Sequence, residues 1–295
     1  MYGLLISPEQ LMALQREGAP LMVFDCSFEL MNPAAGEEHY RAAHIPGAVY
    51  AHLDRNLSDK GVVEPDGSHH PSADAASGGR HPLPSREKFA MWLSSIGFAN
   101  DMQAVVYDRN GANYCGRLWW MLKWAGHEAV AVLDGGLQAW QAAGGAVTDR
   151  VEAPRSRSNF APGRASAALA ATKDVAARLG SGAQTVIDAR ATPRYKGEVE
   201  PLDPVAGHIP GALNRPFAQS LGADGRFKPA AQLRQEFEAL LAGRDPATVV
   251  HQCGSGVSAL PNLIAMEVAG LGRSALYAGS WSEWCSDPSR PVEKG

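Results

Sequence analysis

Thr248-Val-Val-His-Gln-Cys253-Gly-Ser-Gly-Val-Ser258 reads as a strand that delivers a cysteine into a small, glycine-rich turn. The β-branched residues at 248–250 favour extended backbone, and Gly254 and Gly256 admit a tight turn. An alanine-rich segment of helical character follows over residues 259–270. Strand, tight turn and helix in that order form half of a βαβ unit, which argues for a parallel α/β sheet. A cysteine at such a strand end faces a nest of backbone N–H groups and a helix N-terminus. Both favour a thiolate and any anion bound to it.

Working outward, the landmarks around this stretch occur twice. The first copy has Phe24-Asp25, then His44-Ile-Pro-Gly-Ala48, then Val105-Val-Tyr-Asp108, then Asp134-Gly-Gly-Leu-Gln-Ala-Trp140. The second has Ile187-Asp188, then His208-Ile-Pro-Gly-Ala212, then Val249-Val-His-Gln-Cys253, then Ala278-Gly-Ser-Trp-Ser-Glu-Trp284. The offset is 208 − 44 = 164 at the first shared motif and 284 − 140 = 144 at the closing tryptophan. The first copy therefore carries about twenty extra residues, and they fall in a polar stretch at 59–80. A domain-sized period means two domains, as 295 residues also suggest.

Within each copy, apolar runs and helical patterns alternate. Strands are expected at 21–26, 104–108 and 130–133, and again at 185–188, 248–252 and 274–277. Helices are expected at 86–96, begun by Pro84-Ser85, and at 116–124, 230–241 and 259–269. This predicts, in each copy, a parallel sheet flanked by helices, with ligands beyond the carboxyl ends of the strands. Domain boundaries are expected at 1–148 and 169–295, joined by a polar, turn-rich linker at 149–168.

Composition excludes several classes. A net charge of −4 and 20% charged residues argue against a nucleic-acid surface. No apolar run reaches the roughly 20 residues of a membrane span. The N-terminus lacks a basic segment and a cleavage pattern. Cys26, Cys115, Cys253 and Cys285 are too few for a disulfide scaffold and lack zinc-ligand spacing, so neither metal nor cofactor is expected. The cytoplasm is the simplest compartment, and a monomer is the default. His69-His70 lies in the polar insert and reads as solvated rather than as a metal site.

The paired Asp…His-Ile-Pro-Gly-Ala motifs, the Cys-Gly-Ser-Gly-Val-Ser loop and Gly-Ser-Trp-Ser-Glu-Trp together resemble the tandem rhodanese family of sulfurtransferases, across nearly the whole chain. The resemblance implies two rhodanese-like domains, the first silent and the second catalytic. It implies transfer of a sulfane sulfur through a persulfide on Cys253 to a thiol acceptor such as thioredoxin. Asp108 stands near the position matching Cys253, as a silent first copy would have it. The loop resembles that of mercaptopyruvate sulfurtransferases, with Ser258 in place of threonine.

The loop chemistry points the same way. Thiosulfate is a dianion that a basic loop would favour, and residues 253–258 contain no cation. Mercaptopyruvate leaves an enolate that needs a proton, which a hydroxyl relay supplies. The resemblance maps that relay onto Ser255, His81 in Gly79-Arg-His-Pro-Leu-Pro84, and Asp54 in His52-Leu-Asp-Arg55, two of the three coming from the first copy. It also maps donor binding onto Arg194 and the loop residues Gly254, Gly256, Val257 and Ser258. A second substrate arginine of those enzymes is Leu202 here, with Lys196 or Arg190 as candidates to compensate. Thiosulfate is therefore kept as an alternative donor, and a non-enzymatic binding module as a remote one.

Other readings are weaker. Asp25, Asp188, His44 and His208 recur in both copies and read as structural. Trp119, Trp120, Trp124, Trp140, Trp281 and Trp284 read as packing. Gly254-Ser-Gly256-Val-Ser-Ala259 formally matches a dinucleotide fingerprint, but no acidic residue ends a strand about 20 residues later. A cysteine phosphatase loop would need arginine where Ala259 stands.

Overall fold

In both halves of the chain the apolar runs become the central strands of a five-stranded sheet with parallel pairing throughout. The computed structural model describes residues 1–64 and 68–295. The strands are β1 (Leu5–Ile6), β2 (Leu21–Asp25), β3 (Val49–Tyr50), β4 (Val62–Val63), β5 (His69–His70), β6 (Gln103–Tyr107) and β7 (Val130–Leu133). They continue as β8 (Ala168–Leu169), β9 (Thr185–Asp188), β10 (Leu213–Asn214), β11 (Val249–Gln252) and β12 (Ala275–Leu276). The first sheet has the order β1-β7-β6-β2-β3 and the second β8-β12-β11-β9-β10, the same permutation. β4 and β5 form a separate antiparallel hairpin in the polar insert.

The register equates the two copies residue by residue. Tyr107 pairs with Asp25, and Gln252 with Asp188. The residue that leaves the central strand is therefore Asp108 in one sheet and Cys253 in the other. All five residues of β6 and all four of β11 are buried, as expected of central parallel strands covered on both faces.

The helices follow their sequence signals. Ser85 caps the helix Arg86–Ser95 by accepting the Lys88 N–H. The helix Cys115–Trp124 is buried along its whole length, including Arg117 and Lys123. The helix Pro8–Glu17 was not among the expected elements, although Ser7 and Gln10 form a capping box and Pro8 opens it. Its many charged and polar residues obscured the period.

Each sheet has its own core. In the first, Val23, Val105, Tyr107 and Leu133 pack with Trp140. In the second, Val186, Val250 and Tyr277 pack with Trp281 and Trp284. Truncating one such tryptophan to alanine costs about 3–5 kcal/mol.

The chain forms two compact units, one of residues 1–58, 84–166 and 223–227, the other of residues 59–83, 167–222 and 228–295. The polar insert after residue 58 thus folds with the second sheet. Residues 149–166 fold with the first: Ser158 N–H donates to Ser94 at 2.9 Å, Gly163 N–H to Ala125 at 2.8 Å, and Phe160 is buried. Among the described residues no helix is long and apolar enough to cross a membrane.

Candidate active site

Cys253 is the first residue beyond β11 and is only 2% exposed. Its backbone is clasped by the Gly279-Ser-Trp-Ser segment. Ser280 Oγ accepts the Cys253 N–H at 3.1 Å and donates to the Tyr277 carbonyl at 2.9 Å. Trp281 N–H donates to the Cys253 carbonyl at 3.0 Å and Ser282 N–H to the Gly254 carbonyl at 2.9 Å. Ser280 sits at φ 55°, a left-handed conformation that costs a non-glycine residue about 1–2 kcal/mol. Gly256 turns the loop at φ 71°, and a Cβ there would stand 2.2 Å from the Ala278 carbonyl oxygen. Glycine is therefore required at that position on two counts.

The insert completes the loop's surroundings. His81 Nδ1 lies 2.7 Å from Ser255 Oγ, with both residues buried. The serine hydroxyl donates when Nδ1 is unprotonated. The chain before His81 is docked on the helix Ser280–Trp284: Arg80 N–H donates to Ser282 Oγ at 2.9 Å and Gly78 N–H to Glu283 Oε2 at 3.2 Å. A Cβ on Gly79 would stand 2.5 Å from the Gly279 carbonyl oxygen, so a larger residue would lift this segment, and His81 with it.

The expectation that His81 arrives as part of the first domain is thereby corrected. It belongs to the first copy in sequence and to the second unit in space. The reason is that residues 78–80 bond to residues of the second unit. Asp54 belongs to the first unit, in the helix Leu53–Asn56, where its N–H donates to His52 Nδ1 at 3.1 Å.

Two guanidinium groups stand over the residue that follows the cysteine. From the point where a Cβ on Gly254 would lie, Arg80 Nη2 is 3.1 Å away and Arg194 Nη1 3.6 Å. Arg194 is held by Glu200, through Nη2 at 2.6 Å and Nε at 3.3 Å, and by Asp203 at 3.2 Å. Arg80 Nη1 is held by Asp203 at 2.7 Å and by the Leu202 carbonyl at 3.4 Å. Arg80 was quoted in the sequence motif but not singled out; its signal was a cation directly before His81. Arg190 is otherwise engaged, bonded to Asp188, Glu200 and the Gly207 carbonyl and lying 4.7 Å from the Trp281 ring centroid. Burial opposes its charge, but Asp188, Glu200 and Cys253 outweigh that and hold its pKa above the usual range.

The remaining three cysteines are also buried. Burial, with Asp25 and Asp108 adding to it, pushes the Cys26 thiol well up. Burial and then Asp108 do the same for Cys115. Burial, followed by Asp203, raises Cys285. All four cysteines are free. The recurrent histidines are structural: His44 stacks on Tyr40 and His208 on Tyr195, and each Nδ1 bonds that tyrosine's carbonyl, at 2.7 and 2.8 Å. In the insert, His69 Nε2 lies 3.1 Å from the Gly79 carbonyl.

The rhodanese-like domain profile matches this chain twice, over residues 7–143 and 171–287. The chain belongs to the tandem rhodanese family of sulfurtransferases. A probable 3-mercaptopyruvate sulfurtransferase of Pseudomonas aeruginosa is 44% identical to this chain over 295 residues, covering 99% of this chain and 98% of that one. A putative thiosulfate sulfurtransferase, SseB, of Mycobacterium tuberculosis is 38% identical and covers 99% and 97%. Among solved structures, SseA of Escherichia coli, a 3-mercaptopyruvate sulfotransferase, superposes with a TM-score of 0.75 at 27% identity, covering 95% of this chain and 100% of that one.

Proposed function

We propose that this sulfurtransferase takes its sulfur from 3-mercaptopyruvate and passes it to a thiol through a persulfide on Cys253. The Cys253 thiolate attacks the donor sulfur and forms the S–S bond. The C–S bond breaks, and its electron pair leaves as the enolate of pyruvate. One proton converts the enolate to pyruvate; Ser255 donates it and His81 replaces it. An acceptor thiolate then takes the outer sulfur and releases the Cys253 thiolate.

One observation carries this reading: His81 Nδ1 lies 2.7 Å from Ser255 Oγ, beside a loop that itself has no cation. A relay of that kind serves a leaving group that must be protonated. Gly254, Gly256, Val257 and Ser258 shape the loop around the sulfur. Arg194 offers Nη1 to the donor's carboxylate, its other nitrogens being held by Glu200 and Asp203. The relatives named as mercaptopyruvate and thiosulfate enzymes support the class of donor. A soluble thiol such as thioredoxin fits as acceptor, and a monomer in the reducing cytoplasm fits a chain whose four cysteines are free.

Thiosulfate is the second reading, favoured by the two guanidinium groups over Gly254, which would attract a dianion. The test is kcat/KM for both donors in one buffer. A clear preference for 3-mercaptopyruvate supports the proposal, and a preference for thiosulfate overturns it.

A further inference from the structure

One guanidinium edge beside the cysteine loop has no role in holding the fold. Arg80 is anchored through its backbone N–H to Ser282 and through Nη1 to Asp203 and the Leu202 carbonyl. Its other edge is not used in this way. Nε is buried and, among the described residues, donates to no protein group. Nη2 stands 3.1 Å from the point where a Cβ on Gly254 would lie. Nε and Nη2 share one side of the guanidinium plane, the pair that grips a carboxylate with two parallel bonds. Leaving a buried, charged N–H without an acceptor is costly, so this edge, beside the cysteine loop, is open to a ligand's acceptor.

Arg194 approaches the same point with Nη1, at 3.6 Å. Asp203 ties the two together, Oδ1 accepting from Arg80 and Oδ2 from Arg194. Two cations, each with donors to spare, thus converge on the residue next to the nucleophilic sulfur.

We propose that Arg80 is a specificity-determining residue whose Nε/Nη2 edge receives the carboxylate of the sulfur donor, with Arg194 Nη1 as the second contact. The proposal rests on the 3-mercaptopyruvate reading. In that donor a methylene and a carbonyl carbon separate sulfur from carboxylate. Successive Cα atoms are about 3.8 Å apart, so a carboxylate held over Gly254 leaves the sulfur within reach of Cys253. Arg80 and His81 then deliver carboxylate grip and proton relay from one dipeptide of the insert.

The test compares 3-mercaptopyruvate with mercaptoacetone, the same ketone and thiol without the carboxylate, on the full chain. Arg80→Met should raise KM for 3-mercaptopyruvate by about tenfold or more, with a smaller change in kcat. The kcat/KM preference for 3-mercaptopyruvate over mercaptoacetone should fall by at least about tenfold. Arg80→Lys should restore only part of it, because a point charge lacks the fork. Gly254→Ala sets a methyl 3.1 Å from Nη2 and so displaces the free edge while sparing the anchors; it should give the same KM signature. If Arg80→Met keeps the wild-type preference, the proposal falls while the donor reading stands. If Arg80→Met alone has the effect and Gly254→Ala has none, the effect belongs to the Asp203 anchor and the proposal also falls. If the wild type does not turn over 3-mercaptopyruvate, the donor reading falls and takes the carboxylate assignment with it.

Discussion

The loop that follows β6 and the loop that follows β11 have the same length and different contents. From Asp108 to the helix beginning at Cys115 is 115 − 108 = 7 residues, and from Cys253 to the helix beginning at Leu260 is 260 − 253 = 7. In the first, the Asp108 carboxylate accepts the N–H groups of Asn110, Ala112, Tyr114 and Cys115 at 2.8, 3.1, 2.8 and 2.9 Å. In the second, among the described residues, the N–H groups of Gly254, Ser255, Val257 and Ser258 donate to no protein group. In the first copy the loop's donors are taken up by the Asp108 carboxylate. In the second a cysteine follows the strand, and on the proposed function the loop's N–H groups serve a charge that arrives with the substrate.

The closing turns repeat the contrast. Leu137 N–H donates to the Asp108 carbonyl as Trp281 N–H does to the Cys253 carbonyl. Just before them, Gly136 and Ser280 both have positive φ, at 61° and 55°. Only the second copy uses a serine, and only there does an Oγ hold the N–H of the landmark residue.

The comparison breaks most visibly at His81. Among the described residues the histidine–hydroxyl contact is seen at the second loop alone, and the general acid catalysis proposed for it is worth roughly 10²–10⁴-fold. His81→Ala should slow 3-mercaptopyruvate turnover by about 10²-fold and thiosulfate turnover much less, since sulfite departs without a proton. Equal slowing of both in steady-state assays returns His81 to a structural role.

Asp108→Ala tests the filled nest. It orphans four N–H groups and should destabilise the first unit by about 3 kcal/mol, read from denaturant midpoints. A loss well under 1 kcal/mol would mean that the carboxylate is not what holds this loop.

The sheets also differ at one buried strand position. Val106 pairs with Phe24, and His251, at the matching place, pairs with Ile187. Burial, and then the nearby Arg215 charge, lowers the His251 pKa to about 3. The unfolded chain takes up that proton near pH 6.5, so stability is present above this value and is lost as pH falls towards about 3. The expected slope is about 1.4 kcal/mol per pH unit. His251→Val should flatten it; an unchanged slope would assign acid sensitivity elsewhere.

Ser280 gives the smallest effect. Ser280→Ala keeps the left-handed backbone and loses the acceptor for the Cys253 N–H, a cost of about 1 kcal/mol. Ser280→Gly loses the same bond but relieves the backbone, so it should cost less. The reverse order would show that the left-handed backbone at Ser280 stores no strain for glycine to relieve.

Sequence pattern alone exposed the repeat, the central strands and the cysteine loop, because buried parallel strands leave apolar runs and the loop needs its glycines. Val130–Leu133, Thr185–Asp188 and Ala230–Leu241 were expected with the bounds they have. The short edge strands such as Leu5–Ile6 and Ala168–Leu169 were illegible, since two residues carry no period. The expected site residues divide by unit. Cys253, Ser255, His81 and Arg194 meet in the second, whereas Asp54 lies in the first. Arg80 was missed because its function depends on where the insert docks. That docking rests on the Ser282 hydroxyl and the Glu283 carboxylate, which are more than two hundred residues away in sequence.

The central claim, that one nest is filled and the other carries sulfur, is tested most directly by intact mass. The chain is incubated with 3-mercaptopyruvate, or with thiosulfate, and freed of small molecules without reductant. The account predicts one added sulfur on the wild type and none on Cys253→Ser, because burial, with Asp25, Asp108 and Asp203 adding to it, raises the Cys26, Cys115 and Cys285 thiols. Sulfur persisting in Cys253→Ser, mapped to Cys115 or Cys285, would contradict it.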